Sequence, residues 1–498
     1  MEYKIKGYEP AAVFRYFEEI SAIPRGSGNE KGISEYLTAF AKEHNLAYEV
    51  DAVYNVVIWK AGSVGCETLE PIMLQGHMDM VCEKNRDVEH NFETEGIDIV
   101  QEGGFVRANG TTLGADNGIA VAYMLAILAD SHLVHPPLEC VFTVQEETGL
   151  TGAAQLDKTK LRARTMINLD SEEEGIATVS CAGGLRAELS CPVVEEVCGN
   201  TATLHLAVRG LLGGHSGAEI HLQRGNANKI IARLLYLLSK EVPFQLVSLH
   251  GGNKDNAIPR ECDAKIVLED ETTMARAKKW LAEKIQQLRE EFCPNEAEFD
   301  VSVITGNSAS QTAVSREQTQ NIVRLLFMAP DGVQKKDMLH DGFVVSSLNL
   351  GVLRLEHGTF RAVFAPRSSV QSLQEEIKEQ LQLLGETFGC DIQFRAEYPG
   401  WQYAQYSKIR DVFCAMYRKL FHGELKVEAI HAGLECGLFA GAIEGLDAIA
   451  VGPTLRGCHT PDEVMDLQSC ANVWKLLLAV LEELTKPDRR VIYTIVEN

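Results

Sequence analysis

The sequence predicts an α/β domain, its mixed sheet flanked by helices, interrupted by an inserted α+β domain of two similar halves. Three observations carry this. Short apolar runs of strand length alternate with helix-period segments near the N-terminus, as a layered α/β sheet requires. The 498 residues exceed what one hydrophobic core usually supports. Further on, one order of elements (helix, strand, strand, helix, strand) occurs twice before α/β character returns. The division read from these changes is 1–184 and 398–498 for the α/β domain, with 185–397 inserted.

The elements follow in order. Residues 11–20 carry Ala, Val, Phe, Phe and Ile at helical spacing, and a second amphipathic helix is predicted over Glu30–Asn45. Between them Pro24-Arg25-Gly26-Ser27-Gly28-Asn29 reads as a breaker. Strands are predicted at Val53–Trp59 and Ile72–Gln75, then a helix over Asn117–Leu128 with a broad apolar face. That helix places Asp116 at its N-terminus, where unpaired backbone N–H groups favour a carboxylate. Strands at Leu138–Val144 and Thr165–Leu169 complete the first part.

After Gly183-Gly184 the predicted elements are a helix at Asn226–Leu238, strands at Phe244–Leu249 and Ala264–Glu269, a helix at Thr273–Phe292 and a strand at Glu298–Ile304. The second pass gives a helix at Glu317–Phe327, strands at Phe343–Leu353 and Phe360–Phe364, a helix at Val370–Phe388 and a strand at Asp391–Glu397. Past Tyr398-Pro399-Gly400-Trp401 come a helix at Ile409–Leu420, a strand at Lys426–His431 and a last helix at Ala471–Leu484.

Composition excludes several classes. An apolar content of 45% with 23% charged residues is that of an ordinary globular chain. A formal charge of -23 argues against nucleic acid, whose binding draws on Lys and Arg. The start, Met-Glu-Tyr-Lys-Ile-Lys-Gly, lacks the apolar core of a signal peptide, and no later stretch is apolar enough to span a bilayer. The 13 cysteines, without Cys-x-x-Cys spacing, fit a reducing compartment and no zinc knuckle, so the expected location is the cytoplasm.

The chemistry lies in an ordered set of acids and histidines: His77-Met78-Asp79, Asp116 in Gly-Ala-Asp-Asn-Gly, Glu146-Glu147, Asp170 and, far downstream, His459. Most follow a strand-like run or sit in a glycine-containing turn, where an α/β fold presents catalytic side chains. Singly, any of them reads as one more surface group among 70 acids and 14 histidines. Together they read as a two-metal site, and nitrogen and oxygen ligands without thiolate suit zinc, manganese or cobalt. Asp116 is expected to bridge two ions, one also taking His77 and Asp170, the other Glu147 and His459. Glu146 is expected to be the general base and Asp79 to orient the His77 imidazole.

The segments Gln75-Gly76-His77-Met78-Asp79-Met80-Val81, Thr111–Gly118, Glu146–Leu150 and Asn168–Glu172 resemble the M20 metallopeptidases. Within that family they are most similar to the aminoacyl-histidine dipeptidases, the PepD type of cytosol non-specific dipeptidase. The resemblance spans essentially the whole chain. It implies a catalytic domain with two zinc ions, an inserted lid domain and hydrolysis of dipeptides. It also draws attention to His215 as a lid histidine that stabilises the oxyanion, and to Asn256 and Arg367 as holders of the substrate carboxylate. Glu435, in His431-Ala432-Gly433-Leu434-Glu435-Cys436-Gly437, is a candidate for the substrate amino group. Ordinary readings stand beside these: a turn residue for Asn256 and Glu435, a surface ion pair for Arg367. His221 takes no role. Whether His215 acts within its chain or across a homodimer stays open.

The function read from the sequence is a metal-dependent dipeptidase acting on Xaa-His, carnosine-like and broader dipeptides, with Glu146 relaying a proton from a metal-bridging hydroxide. A tripeptidase, carboxypeptidase or amide deacylase uses the same ligands, because ligands do not encode substrate length. A non-catalytic scaffold predicts loss of the base or ligands, and all are present. The expected partner is a short peptide, with no nucleic acid and no membrane.

Overall fold

Strands buried on both faces read as continuous apolar runs, and three such runs organise the first unit of the computed structural model, which describes residues 2–339 and 342–486. Ile72–His77, Leu138–Thr143 and Thr165–Asn168 are almost wholly buried and lie in parallel, with Ile72–His77 in the middle. They form the centre of an eight-stranded mixed sheet. Asp447–Ala450 adds in parallel on one side, while Val56–Lys60 and Ala47–Val50 add antiparallel on the other. The parallel strands end on the same edge, so His77, the Glu146-Glu147 pair and Asp170 emerge together.

The helix Ala115–Ala129 is buried around nearly its whole circumference, which its uniformly apolar sequence requires. It packs against the strand Ile72–His77 and the helix Ala11–Ser21. A four-stranded sheet that the sequence did not announce joins Ile99–Glu102 and Phe105–Ala108 to the hairpin Leu455–Arg456/Val464–Asp466. His459 sits in the loop of that hairpin, which is how a residue so far downstream reaches the candidate ligands from the first part of the chain.

This unit comprises Met1–Ser180, Tyr403–Ala429 and Leu434–Asn498, and the second comprises Cys181–Gln402 with Ile430–Gly433. The short return of Ile430–Gly433 follows from hydrogen bonds in which Ala182 N donates to Ile430 O and Ala432 O. The second unit is built on one nine-stranded antiparallel sheet. Its helices, Ala227–Leu238, Glu271–Phe292, Arg316–Met328 and Gln371–Phe388, share one apolar core with the strands through Leu235, Leu281, Leu326 and Leu381. Strands Gly183–Pro192 and Glu195–Arg209 lie where the sequence reading assigned no element. Among the described residues no helix is long and apolar enough to cross a membrane.

Candidate metal centre

Two histidines in the first unit converge on one carboxylate. His77 Nε2 lies 3.2 Å from Asp116 Oδ1 and 3.5 Å from Asp170 Oδ1. His459 Nε2 lies 3.0 Å from Asp116 Oδ2 and 2.9 Å from Glu147 Oε1. Asp116 thus offers one oxygen to each set. Glu147 Oε1 is buried with no hydrogen-bond donor aimed at it, although the His459 ring is beside it. Donor atoms about 3–3.5 Å apart are what ligands at about 2.0–2.2 Å from a common tetrahedral cation show. The donor set therefore fits two divalent cations sharing Asp116, each with one imidazole and two carboxylates. Glu146 joins His77 and Glu147 in a cluster whose ligand atoms lie within 4.8 Å of one another.

The ionisation of the protein alone agrees with this. Burial opposes the charged form of His77, yet Asp170, Asp116 and Asp79 raise it well above its ordinary value. The neighbouring Asp116 and Glu147 carboxylates lift His459 to about 11. Asp116 is lowered despite its burial, by His459 and His77. Burial raises Asp170, and burial raises Glu146 to about 9, where Asp170, Glu435 and Glu147 add to the effect and His77 opposes it. Cations among these carboxylates favour the ionised forms.

The supporting residues explain why the candidate ligands face each other. Asp79 is fully buried, with Oδ1 3.3 Å from His77 Nδ1, and it accepts from Ser27 Oγ at 2.8 Å and Glu146 N at 3.1 Å. It therefore ties the first histidine to the glutamate pair. Gly76 has no side chain for a reason: a Cβ there would meet Asn117 Oδ1 at 2.4 Å. Asn117 Oδ1 accepts from His77 N, and its Nδ2 donates to Leu169 O at 2.9 Å, which joins three ligand-bearing segments. The Asp116–Asn117 peptide is cis.

One expectation needs correcting. The N–H groups before the helix Ala115–Ala129 do not hold Asp116, whose carboxylate turns to the histidines. They hold Glu463: Leu113 N and Gly114 N donate to its Oε2 at 2.7 and 2.9 Å, and Ala115 N and Asp116 N to its Oε1 at 2.8 and 3.2 Å. Arg25, 1% exposed, braces the same turn by donating to Met78 O, Asp79 O and Gly114 O. Sequence reasoning missed both residues. Glu172 and Cys458 also lie beside Asp116, and burial raises the Glu172 carboxyl to about 7.

Glu435 is wholly buried at the start of the helix Glu435–Ala442. Its Oε2 accepts from Gln75 Nε2 at 2.5 Å and Thr143 Oγ1 at 2.7 Å, while Oε1 has no partner. Burial raises it to about 7.

The second unit brings His215 and Arg367 together and ties the Asn256 backbone to the residue after His215. The two-residue strand Gly214–His215 pairs with Ala257–Ile258, and Ser216 N donates to Asn256 O at 2.9 Å. His215 Nδ1 accepts from Ala218 N at 2.9 Å and Gly217 N at 3.3 Å, which leaves the ring proton on Nε2. Burial and the charge of Arg367 lower its pKa, so at neutral pH the ring is a neutral donor. Arg367 is buried, donates from Nη1 to Tyr398 Oη at 3.1 Å, and has no partner at Nε. A Cβ on Gly217 would meet His215 Cε1 at 3.0 Å and Arg367 Nε at 3.1 Å, so the two side chains flank this glycine. His431 completes the group: Nε2 lies 2.7 Å from Ser347 Oγ, and burial, then Arg367, hold it down at about 3. Asn256 is exposed, and His221 is exposed beside the cluster.

A mixed sheet that presents His77, Glu147 and Asp170 at its parallel strand ends, with His459 brought beside them by a hairpin loop, defines a hydrolase of the metallopeptidase class. Residues 73–483 match the model of peptidase family M20/M25/M40. The chain belongs to this family, whose members hydrolyse peptide bonds. It is 37% identical over 480 residues to the cytosol non-specific dipeptidase of Escherichia coli (strain K12), covering 95% of this chain and 98% of that one. The crystal structure of aminoacylhistidine dipeptidase from Vibrio alginolyticus superposes with a TM-score of 0.90 at 34% identity, covering 97% of this chain and 99% of the other. Aminopeptidase PepT from Bacillus cereus ATCC 10987 shares the fold at a TM-score of 0.55 and 15% identity over 96% of this chain.

Proposed function

We propose that this peptidase is a metal-dependent dipeptidase of the cytoplasm, loaded with two zinc ions and acting on Xaa-His, carnosine-like and broader dipeptides. The observation that carries it is the sharing of Asp116 between the His77/Asp170 and His459/Glu147 sets, with Glu146 alongside. The dipeptidase names of both full-length relatives support the substrate class. Residues 1–184 and 398–498 serve in this reading as the catalytic domain and 185–397 as a lid.

When bound, the cations supply Lewis acidity and a water of lowered pKa. His77, Asp116, Glu147, Asp170 and His459 hold them. Glu146 takes the proton of the attacking water and returns it to the leaving amine. Asp79 fixes the His77 ring, and the free Oε1 of Glu435 accepts from the substrate ammonium. In the second unit the His215 Nε2–H donates to the developing oxyanion, while Arg367 and Asn256 take the substrate carboxylate.

Purified protein is assayed on an Xaa-His dipeptide and a matched tripeptide before chelation, after it and after zinc is restored. Dipeptide cleavage that vanishes with chelator and returns with zinc supports the reading. Cleavage of the tripeptide alone moves the assignment to a tripeptidase.

A further inference from the structure

The second unit contains a thiol pair that the peptidase chemistry does not use. In the pairing of Gly183–Pro192 with Asp391–Tyr398, Asp391 lies opposite Ser190 and Ile392 opposite Leu189. One step further along that register, Cys390 faces Cys191. Cys390 N donates to Gly385 O at 2.9 Å rather than across the strands. Directly opposed residues on antiparallel strands have Cα atoms about 4.5–5.5 Å apart, inside the range of about 4.4–6.8 Å that a disulfide spans. Both side chains join the helix-covered core. Both also line a cavity of about 490 Å³ whose wall includes Ser315, Gln318 and Asn321, a polar approach for a small molecule.

We propose that Cys191 and Cys390 form a modification site for low-molecular-weight disulfides such as glutathione disulfide, closing by thiol–disulfide exchange to a cross-strand bond. The Cys191 thiolate attacks one sulfur of glutathione disulfide and expels one glutathione thiolate. The Cys390 thiolate then attacks the Cys191 sulfur of the mixed disulfide and expels the second. The two protein thiols lose two electrons and two protons, and one glutathione disulfide becomes two glutathiones. Cys191 is the attacking group because the adjacent Cys390 thiol favours its thiolate. Asp391–Tyr398 ends the sheet order, and it carries Tyr398, which accepts from Arg367. The bond therefore staples the strand that braces the carboxylate-binding arginine of the proposed function, although the thiol chemistry stands without that reading.

The test treats fully reduced, metal-loaded protein with a series of oxidised-to-reduced glutathione ratios, then traps remaining thiols under denaturing conditions and maps peptides without reduction. The expected result is one new crosslinked peptide joining Cys191 to Cys390, no retained glutathione on either, and a raised thermal midpoint. C191S and C390S each lose the crosslink and the thermal shift. Full alkylation of both cysteines after oxidation, a glutathione adduct that persists on one of them, or pairing of either with another cysteine overturns the proposal. The wild-type map decides this even if a variant folds poorly.

Discussion

Replacing Glu463 by Gln tests how Asp116, the proposed bridging ligand, is held. The carboxylate accepts four backbone N–H groups, two on each oxygen, from Leu113, Gly114, Ala115 and Asp116. In either amide orientation the new NH2 faces two of these donors, so two buried hydrogen bonds are lost. Each unmet buried group costs about 1–3 kcal/mol, giving roughly 2–6 kcal/mol in all. For a unit of this size that is a fall in melting temperature of roughly 5–15 °C. Because Asp116 N is one of the donors, the bridging carboxylate loses its anchor, and zinc affinity falls about 10–100-fold, as for other residues that orient metal ligands. Calorimetry of metal-free protein gives the first quantity, and competition with a chromophoric chelator gives the second. A Glu463→Gln protein with wild-type melting and wild-type zinc affinity would refute the account of this turn.

Other expectations concern chemistry and binding. Glu146→Gln retains both metals but loses at least about 100-fold in turnover, the lower range for general bases; inductively coupled plasma mass spectrometry and dipeptide kinetics read the two together. Arg367→Ala raises KM for dipeptides more than it lowers kcat, and a capped dipeptide amide, lacking the carboxylate, loses that discrimination between wild type and variant. In metal-free protein Glu435 and Glu146 are raised from 4.5 to about 7 and about 9, and His459 from 6.5 to about 11. Each keeps its proton in the folded state where the unfolded chain has released it. Their contribution is full below the ordinary values and declines as pH rises towards the folded ones. Metal-free protein should therefore lose melting temperature between pH 7 and 9 while its gap to zinc-loaded protein widens, and a flat profile in scanning fluorimetry counts against the cluster.

The clustering of candidate ligands that follow apolar strands could be read from the sequence because strand ends in a parallel sheet share an edge, so order along the chain translates into proximity. His77, Glu147 and Asp170 owe their legibility to that rule, and Asp116 to its glycine-flanked turn. Arg25 had no such signal: in Pro-Arg-Gly it reads as a loop cation, and only the fold reveals the three carbonyls around it. Glu463, in Thr-Pro-Asp-Glu, likewise reads as a surface turn, and its capping of a helix 350 residues earlier in sequence is set by the small sheet that carries the His459 hairpin. The strand Glu195–Arg209 was obscured because Val197 stays exposed while Leu204, Leu206 and Val208 are buried, so the apolar alternation starts late.

The most direct measurement is a zinc titration of metal-free protein with hydrolysis of an Xaa-His dipeptide as the signal. The account predicts no turnover without metal and a rise that reaches its plateau at two equivalents per chain. Full activity in metal-free protein, or a plateau at one equivalent, would contradict the shared-aspartate centre.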